Sequence, residues 1–199
     1  MGAGEEVIDE ANARMDAIIL KAELPRKLRI AAMDIEAWNA LAEPLLTQVM
    51  GERRYVAMTE LYAPEAVARA TELQDAGGSS GVVHRYGIWE GETLVGAYRG
   101  RQGDAAVYHM TVSGVRPEWR RKGVYKALMD AVLDAAEAAG FLQVQSSHHA
   151  DNNPILIAKL ARGFVINGLS SSLRTGLMVT MVYRFSERAR AQHRVNVSA

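Results

Sequence analysis

Residues 107–140 read VYHMTVSGVRPEWRRKGVYKALMDAVLDAAEAAG, and the periodicity of the chain changes in the middle of this stretch. It opens as a β-branched and apolar run, breaks at Ser113-Gly114, turns at Arg116-Pro117-Glu118, and continues as a helical pattern closed by Gly140. Val124, Ala127, Leu128, Ala131, Val132, Ala135 and Ala139 recur at three- and four-residue spacing, which lines up one apolar stripe on a helix. A strand therefore feeds a helix through a short loop.

The charge of that loop carries further information. Arg116, Arg120, Arg121, Lys122 and Lys126 crowd the start of the helix, an end that favours anions by about 0.3–1 kcal/mol each. Cations here oppose the helix dipole, unless an anion completes the site and the free N–H groups of the first turn converge on it together with the cations. Gly123 allows a close approach of backbone to such a ligand. The plainer alternative is a solvated basic loop.

At these residues the chain resembles the GNAT acyltransferase superfamily. The acyl-CoA signature of that family is Gln or Arg, two residues, Gly, one residue, then Gly or Ala, after a Val-x-Pro at a strand end. Here Val115-Arg116-Pro117 precedes Arg120-Arg121-Lys122-Gly123-Val124-Tyr125. Tyr125 departs from the pattern, standing where a small residue is usual and narrowing the loop. The resemblance implies acetyl-CoA as acyl donor, with its pyrophosphate on Arg120, Arg121, Lys122, Gly123, Val124, Tyr125 and Lys126. It also implies that the pantetheine arm pairs with Ser113, Gly114 and Val115 in a gap between two splayed strands, with Ser113-Gly114 as a β-bulge.

Composition sets the limits. The 199 residues suit one domain with an extension, and a hydrophobic content of 49% supports a substantial core. Lys plus Arg and Asp plus Glu number 23 each, so no global field draws the chain to nucleic acid or an anionic membrane. The absence of cysteine excludes disulfides, thiolate metal sites and a cysteine nucleophile, so acyl transfer is expected to be direct or to use another nucleophile. The start, MGAGEEVIDE, lacks the basic and apolar regions of a signal peptide, and no apolar run has the length of a membrane span. A cytoplasmic location is expected.

In chain order, residues 5–20 have helical spacing, and the resulting extension over 1–26 is a candidate cap or dimer surface. Residues 27–32 read as a strand, Asp34 as the N-cap of a helix to about residue 50, and Pro44 as a kink or break in it. Ala63-Pro64-Glu65 begins another helix, with Val67, Ala70 and Leu73 inward and Gly77-Gly78 at its end. Residues 82–89 and 93–101 form a hairpin about Glu90-Gly91-Glu92, and Gly103-Asp104 turns into a strand over 105–112. A strand over 141–147 follows the long helix through a right-handed crossover and is parallel to the strand before it. Asn153-Pro154 opens a helix ending at Gly163, strands follow over 164–169 and 177–185, and the basic tail over 187–199 is expected to fray. This order is similar to the whole GNAT fold over roughly residues 27–186. The expected fold class is α/β (α+β), a mostly antiparallel mixed sheet with one splayed parallel pair and helices on both faces.

The resemblance also suggests roles. His109 stands on the strand where many relatives carry a catalytic Glu, and an imidazole with a pKa of about 6.5 accepts a proton near neutrality. A second family motif is Asn, then Tyr seven residues later, then Gly-Phe; Asn152 and Gly163-Phe164 match, but Lys159 holds the Tyr position. Lys159 is thus a candidate acid or phosphate contact whose pKa suits the task only if it is buried. Glu52, Tyr55, Glu60 and Tyr62 are candidates for lining the acceptor pocket. His148-His149 are read as loop or pocket lining, since adjacent strand residues face opposite sides and cannot share a metal. The expected reaction is transfer of an acetyl group from acyl-CoA to a small-molecule or peptide amine, and the alternative is an acyl-CoA sensor without turnover. Neither nucleic acid nor membrane is an expected partner.

Overall fold

The computed structural model of the chain describes residues 3–50, 57–76, 81–103 and 106–198. Glu52, Tyr55, the Gly77-Gly78 helix end and Asp104 lie outside the described residues. The elements are α1 (Ala3–Ile19), β1 (Arg29–Ala32), α2 (Ile35–Ala37), α3 (Glu43–Met50), α4 (Met58–Leu61), α5 (Pro64–Ala76), β2 (Val83–Glu90) and β3 (Thr93–Gln102). These are followed by β4 (Val107–Val115), α6 (Val124–Ala138), β5 (Gln143–His149), α7 (Asn153–Arg162), β6 (Val165–Ser172), β7 (Gly176–Arg184) and α8 (Glu187–Ser198).

The strands form one seven-stranded sheet in the order β1-β2-β3-β4-β5-β7-β6. Only β4 and β5 run parallel, joined by the α6 crossover, and every other neighbouring pair is antiparallel. The fold class expected from the sequence is the one found. One face of the sheet carries the larger core, where Tyr86, Tyr98, Tyr108, Met110 and Val115 pack under α1 and α6. Met15 and Ile19 of α1 are fully buried there, beside Leu128 and Val132 of α6. The opposite face holds a smaller cluster of Met33, Trp38, Ala42, Leu46 and Ala97 beneath α2 and α3.

Several local outcomes differ from the sequence reading, each for a physical reason. Asp34 does cap α2, its carboxylate accepting from the Ala37 N–H at 2.7 Å. Instead of a kink at Pro44, however, the helix widens into a π-turn over Trp38–Ala42 before resuming as α3. Pro44 offers no N–H and its ring crowds the carbonyl four residues back, and the wider turn relieves both. β4 does not end at Ser113-Gly114 but runs on to Val115, paired with β3 throughout. The register shift lies at Thr111, because Gly100 pairs with Met110 while Arg99 pairs with Val112. The bulge is therefore two residues earlier than expected. The N-cap of α7 is Asn152, one residue before the position read from the Asn-Pro dipeptide.

Residues 58–61, unassigned from sequence, form the short α4, capped by Glu60, whose Oε1 accepts the Ala57 N–H at 2.9 Å. The tail is helical as α8, where fraying was expected. Arg190 anchors it by donating to the carbonyls of Arg184 at 2.6 Å and Phe185 at 3.1 Å, with its guanidinium over the Tyr183 ring.

Candidate active site

β4 and β5 pair only at Val107↔Gln143, Tyr108↔Val144 and His109↔Gln145. Beyond His109 the strands part: β4 continues against β3 to Val115, while β5 continues against β7 to His149. From Met110 onward the β5-facing edge of β4 has no strand partner. The cleft so formed opens toward the loop that leads into α6.

That loop is shaped for an anion. Gly123, the N-cap of α6, has φ +81°, and Arg121, two residues earlier, has φ +56°. No side chain caps the helix, and its first turn contains no acidic residue. The Ala127 N–H bonds back to the Gly123 carbonyl, which leaves the N–H groups of Val124, Tyr125 and Lys126 without intrahelical acceptors. The donor set fits a phosphate group.

The cations of the loop are used unequally. Arg120 is tied into the fold, with Nε donating to the Val115 carbonyl at 3.1 Å and Nη2 to the Val49 carbonyl at 2.6 Å, so it joins the end of β4 to the end of α3. Arg116 donates to the Leu94 carbonyl at 2.9 Å, and Lys122 lies 5.0 Å over the Trp119 ring. Lys126 points along α6 to Asp130 at 2.7 Å, and Arg162 of α7 bonds the same carboxylate. Burial alone would raise the Asp130 pKa, but these two partners outweigh it and hold the carboxyl below its ordinary range. Asp130 thus ties α7 to α6, a function absent from the sequence reading.

Tyr125 does not crowd the loop. Its ring packs on the main core, with Ser113 of the cleft strand near its hydroxyl. Burial raises its pKa and the nearby Ser113 offsets only part of that, so the phenol stays protonated near neutrality. Gly114 owes its identity to packing: a Cβ there would meet Leu46 and Val49 of α3 at 2.7 Å. Its backbone is not left-handed, so the special geometry anticipated at this glycine is not its reason.

Lys159 is fully buried. Its Nζ lies 3.2 Å from the Met110 sulfur, at the first β4 residue past the paired segment, and 4.0 Å from the centre of the Phe164 ring. Burial pushes its pKa down from 10.5 to about 7. Asn152 accepts from the Ile155 and Leu156 N–H groups through its carbonyl, and its side chain makes no capping bond. His109 is half-buried on the α3 side of the sheet, opposite Arg101 on β3 and Gln145 on β5. Its imidazole lies so close over Gly103 that no side chain would fit there. Lys159 and His109 therefore lie on opposite faces of the sheet, with the His109 imidazole leaning toward the β3–β4 turn.

His148 bonds Ser146 at 2.9 Å. Among the described residues, no group of three or more His, Asp or Glu side chains is arranged to hold a metal ion, and no helix is long and apolar enough to cross a membrane. Not singled out from sequence were Arg85, Arg99 and Arg101, which lie beside His109 on the α3 face; the alternation of Arg99 and Arg101 in β3 was the available signal.

A mixed sheet splayed at its one parallel pair, with an anion-ready helix start at the cleft, defines an acyltransferase-like architecture. The chain belongs to the acetyltransferase (GNAT) family, whose model matches residues 47–164, well over half of its length. It is similar in fold to the ribosomal-protein-S18-alanine N-acetyltransferase of Escherichia coli, at 13% identity and a TM-score of 0.57, over 80% of this chain and 94% of that one. A GNAT family acetyltransferase from Elizabethkingia anophelis with acetyl-CoA bound gives 10% identity and a TM-score of 0.57, over 80% and 99%. A Bacillus subtilis acetyltransferase in complex with CoA gives 16% and 0.54, over 80% and 100%. Among curated proteins no match to the sequence is found.

Proposed function

We propose that the protein is an N-acyltransferase that moves an acetyl group from acetyl-CoA directly to an amine, with residues 27–186 as its catalytic domain. The observation that carries this reading is the parting of β4 from β5 just past His109, in line with the uncapped N-terminus of α6 at left-handed Gly123. The Val124, Tyr125 and Lys126 N–H groups hold the pyrophosphate, assisted by Arg121 and Lys122. Arg120 acts by fixing the loop against β4 and α3, through the two carbonyls it already binds. The pantetheine arm lies along the open edge of β4 at Ser113, Gly114 and Val115, and Asn152 at the start of α7 closes the far side. Acetyl-CoA and CoA in the fold neighbours support the choice of donor.

His109 accepts the proton that the acceptor amine loses, directly or through a water, and Lys159 gives one to the departing thiolate. A pKa of about 7 leaves Lys159 substantially protonated near neutrality, yet makes it a far better donor to the departing thiolate than an ordinary lysine. Its burial next to Met110 supports this role, replacing the tyrosine usual in the family. Calorimetry with CoA, followed by thiol-release assays over an amine panel, tests the proposal. Saturable CoA binding and amine-dependent thiol release are expected, and binding without release from any amine would instead establish a sensor.

A further inference from the structure

Three guanidiniums sit side by side on the face of the sheet that α2 and α3 cover. Arg85 and Arg99 are direct cross-strand partners, and Arg101, two residues beyond Arg99, lies directly opposite His109. The Arg99 guanidinium is 5.6 Å from the centre of the Trp38 ring, which fixes the face. Like charges placed opposite one another weaken an antiparallel pair, so this arrangement works against the sheet. The Arg85 Nε is moreover buried without a hydrogen-bond partner, as is the Nε1 of Trp89, whose indole lies over Gly87, the next residue along the same face. Among the described residues, Glu43 is the carboxylate paired with this group, at 3.4 Å from Arg99, and the same oxygen also accepts from the Trp38 Nε1 at 2.6 Å. Among the described residues, Arg99 is thus the one of the three with a carboxylate partner, Arg101 donates to the Gln102 carbonyl at 3.4 Å, and the buried Arg85 Nε has no hydrogen-bond partner.

We propose that the acceptor is a small amine carrying an anionic group, a carboxylate or a phosphate, which Arg85, Arg99 and Arg101 bind while the amine lies at His109. This rests on the acyl-transfer reading and adds the substrate class to it. A guanidinium fork matches the paired oxygens of either anion, and the buried Arg85 Nε gains the partner it lacks. Arg101 stands one strand from His109, about 4.8 Å across the sheet, so anion and amine belong to one compact molecule. Polyamines and other cationic acceptors meet repulsion at the same wall. Glu60, an acidic residue that would have favoured them, is occupied in capping α4. In the transfer, the neutral amine nitrogen bonds the acyl carbon, the C–S bond breaks, His109 takes one amine proton, and Lys159 gives one to the departing thiolate, so that CoA leaves as the thiol.

The test measures thiol release by the full chain with acetyl-CoA and four amines: β-alanine, phosphoethanolamine, ethanolamine and putrescine. One of the first two is expected to exceed ethanolamine in kcat/KM by at least about 100-fold, the winner identifying the anion. Arg101→Gln, at an exposed position, and Arg85→Met are each expected to raise KM for that acceptor about tenfold or more, with kcat and CoA affinity little changed, and to erase the preference over ethanolamine. Release that favours ethanolamine or putrescine, or a preference that survives both substitutions, overturns this inference and leaves the acyltransferase reading intact. Failure of CoA to bind at all overturns that reading as well.

Discussion

Lys159→Met separates the stability of this protein from its activity. In the unfolded chain the ammonium has a pKa near 10.5, and in the folded state burial lowers it to about 7. Between those values the folded state binds fewer protons, so its stability rises with pH from about 7 to 10.5, and the full burial cost applies below about 7. At about 1.4 kcal/mol per tenfold, the difference sets an upper limit of roughly 5 kcal/mol. The Met110 sulfur and the Phe164 ring already partner the ammonium, and methionine nearly conserves its volume. We therefore expect Lys159→Met to stabilise the protein by about 1–4 kcal/mol at pH 6, with the gain shrinking toward zero as the pH approaches 10. Urea unfolding of both proteins across this pH range measures it. The same variant should lose turnover by about 10²-fold or more, with CoA affinity retained. A variant less stable than the parent at pH 6, or a gain that does not change with pH, would mean that the buried ammonium does not carry this cost.

Gly123→Asp places a carboxylate where the phosphate would lie and forces a side chain into a left-handed backbone, costing about 1–2 kcal/mol of stability; calorimetry should find CoA binding abolished. His109→Ala should lower turnover about 10²–10⁴-fold with little effect on CoA affinity, and His109→Glu should restore part of it. Loss of thermal stability with activity per folded molecule preserved would instead make His109 structural. Asp130→Asn should cost about 1 kcal/mol at neutral pH, as measured in urea, by weakening the bridge from α6 to α7. Because the folded Asp130 pKa is depressed, the difference between parent and variant should persist above the ordinary carboxylate range and vanish as the pH falls through the Asp130 pKa.

The fold was legible where periodicity, glycine and proline agreed. Residues 107–140 show a β-branched and apolar run giving way to a helical period, and β4 and α6 follow from that alone. The site was legible as a motif but not in its contacts. No local pattern reveals that Arg120 is drawn to the Val49 carbonyl, 71 residues away, or that Arg162 reaches across to Asp130; the Lys126–Asp130 pair, at i,i+4 spacing in α6, is the local one. The register shift at Thr111 depends on β3, and a single strand does not display its partner's register. The helix over Glu187–Ser198 was hidden for a related reason: its composition is polar, and Arg190 holds it through the carbonyls of β7 and the residue after it. The burial of Lys159 was the condition on which its candidacy rested, and only the packing of α7 against β4 supplies it.

Incubation of the full chain with acetyl-CoA carrying an isotopically labelled acetyl group and a panel of amines, followed by mass spectrometry of all products, shows whether the acetyl group moves from sulfur to nitrogen. One labelled acetyl group on the nitrogen of an acceptor is expected for each CoA thiol released. Label that stays entirely on CoA, although CoA binds to the protein, would rule out acyl transfer by this chain.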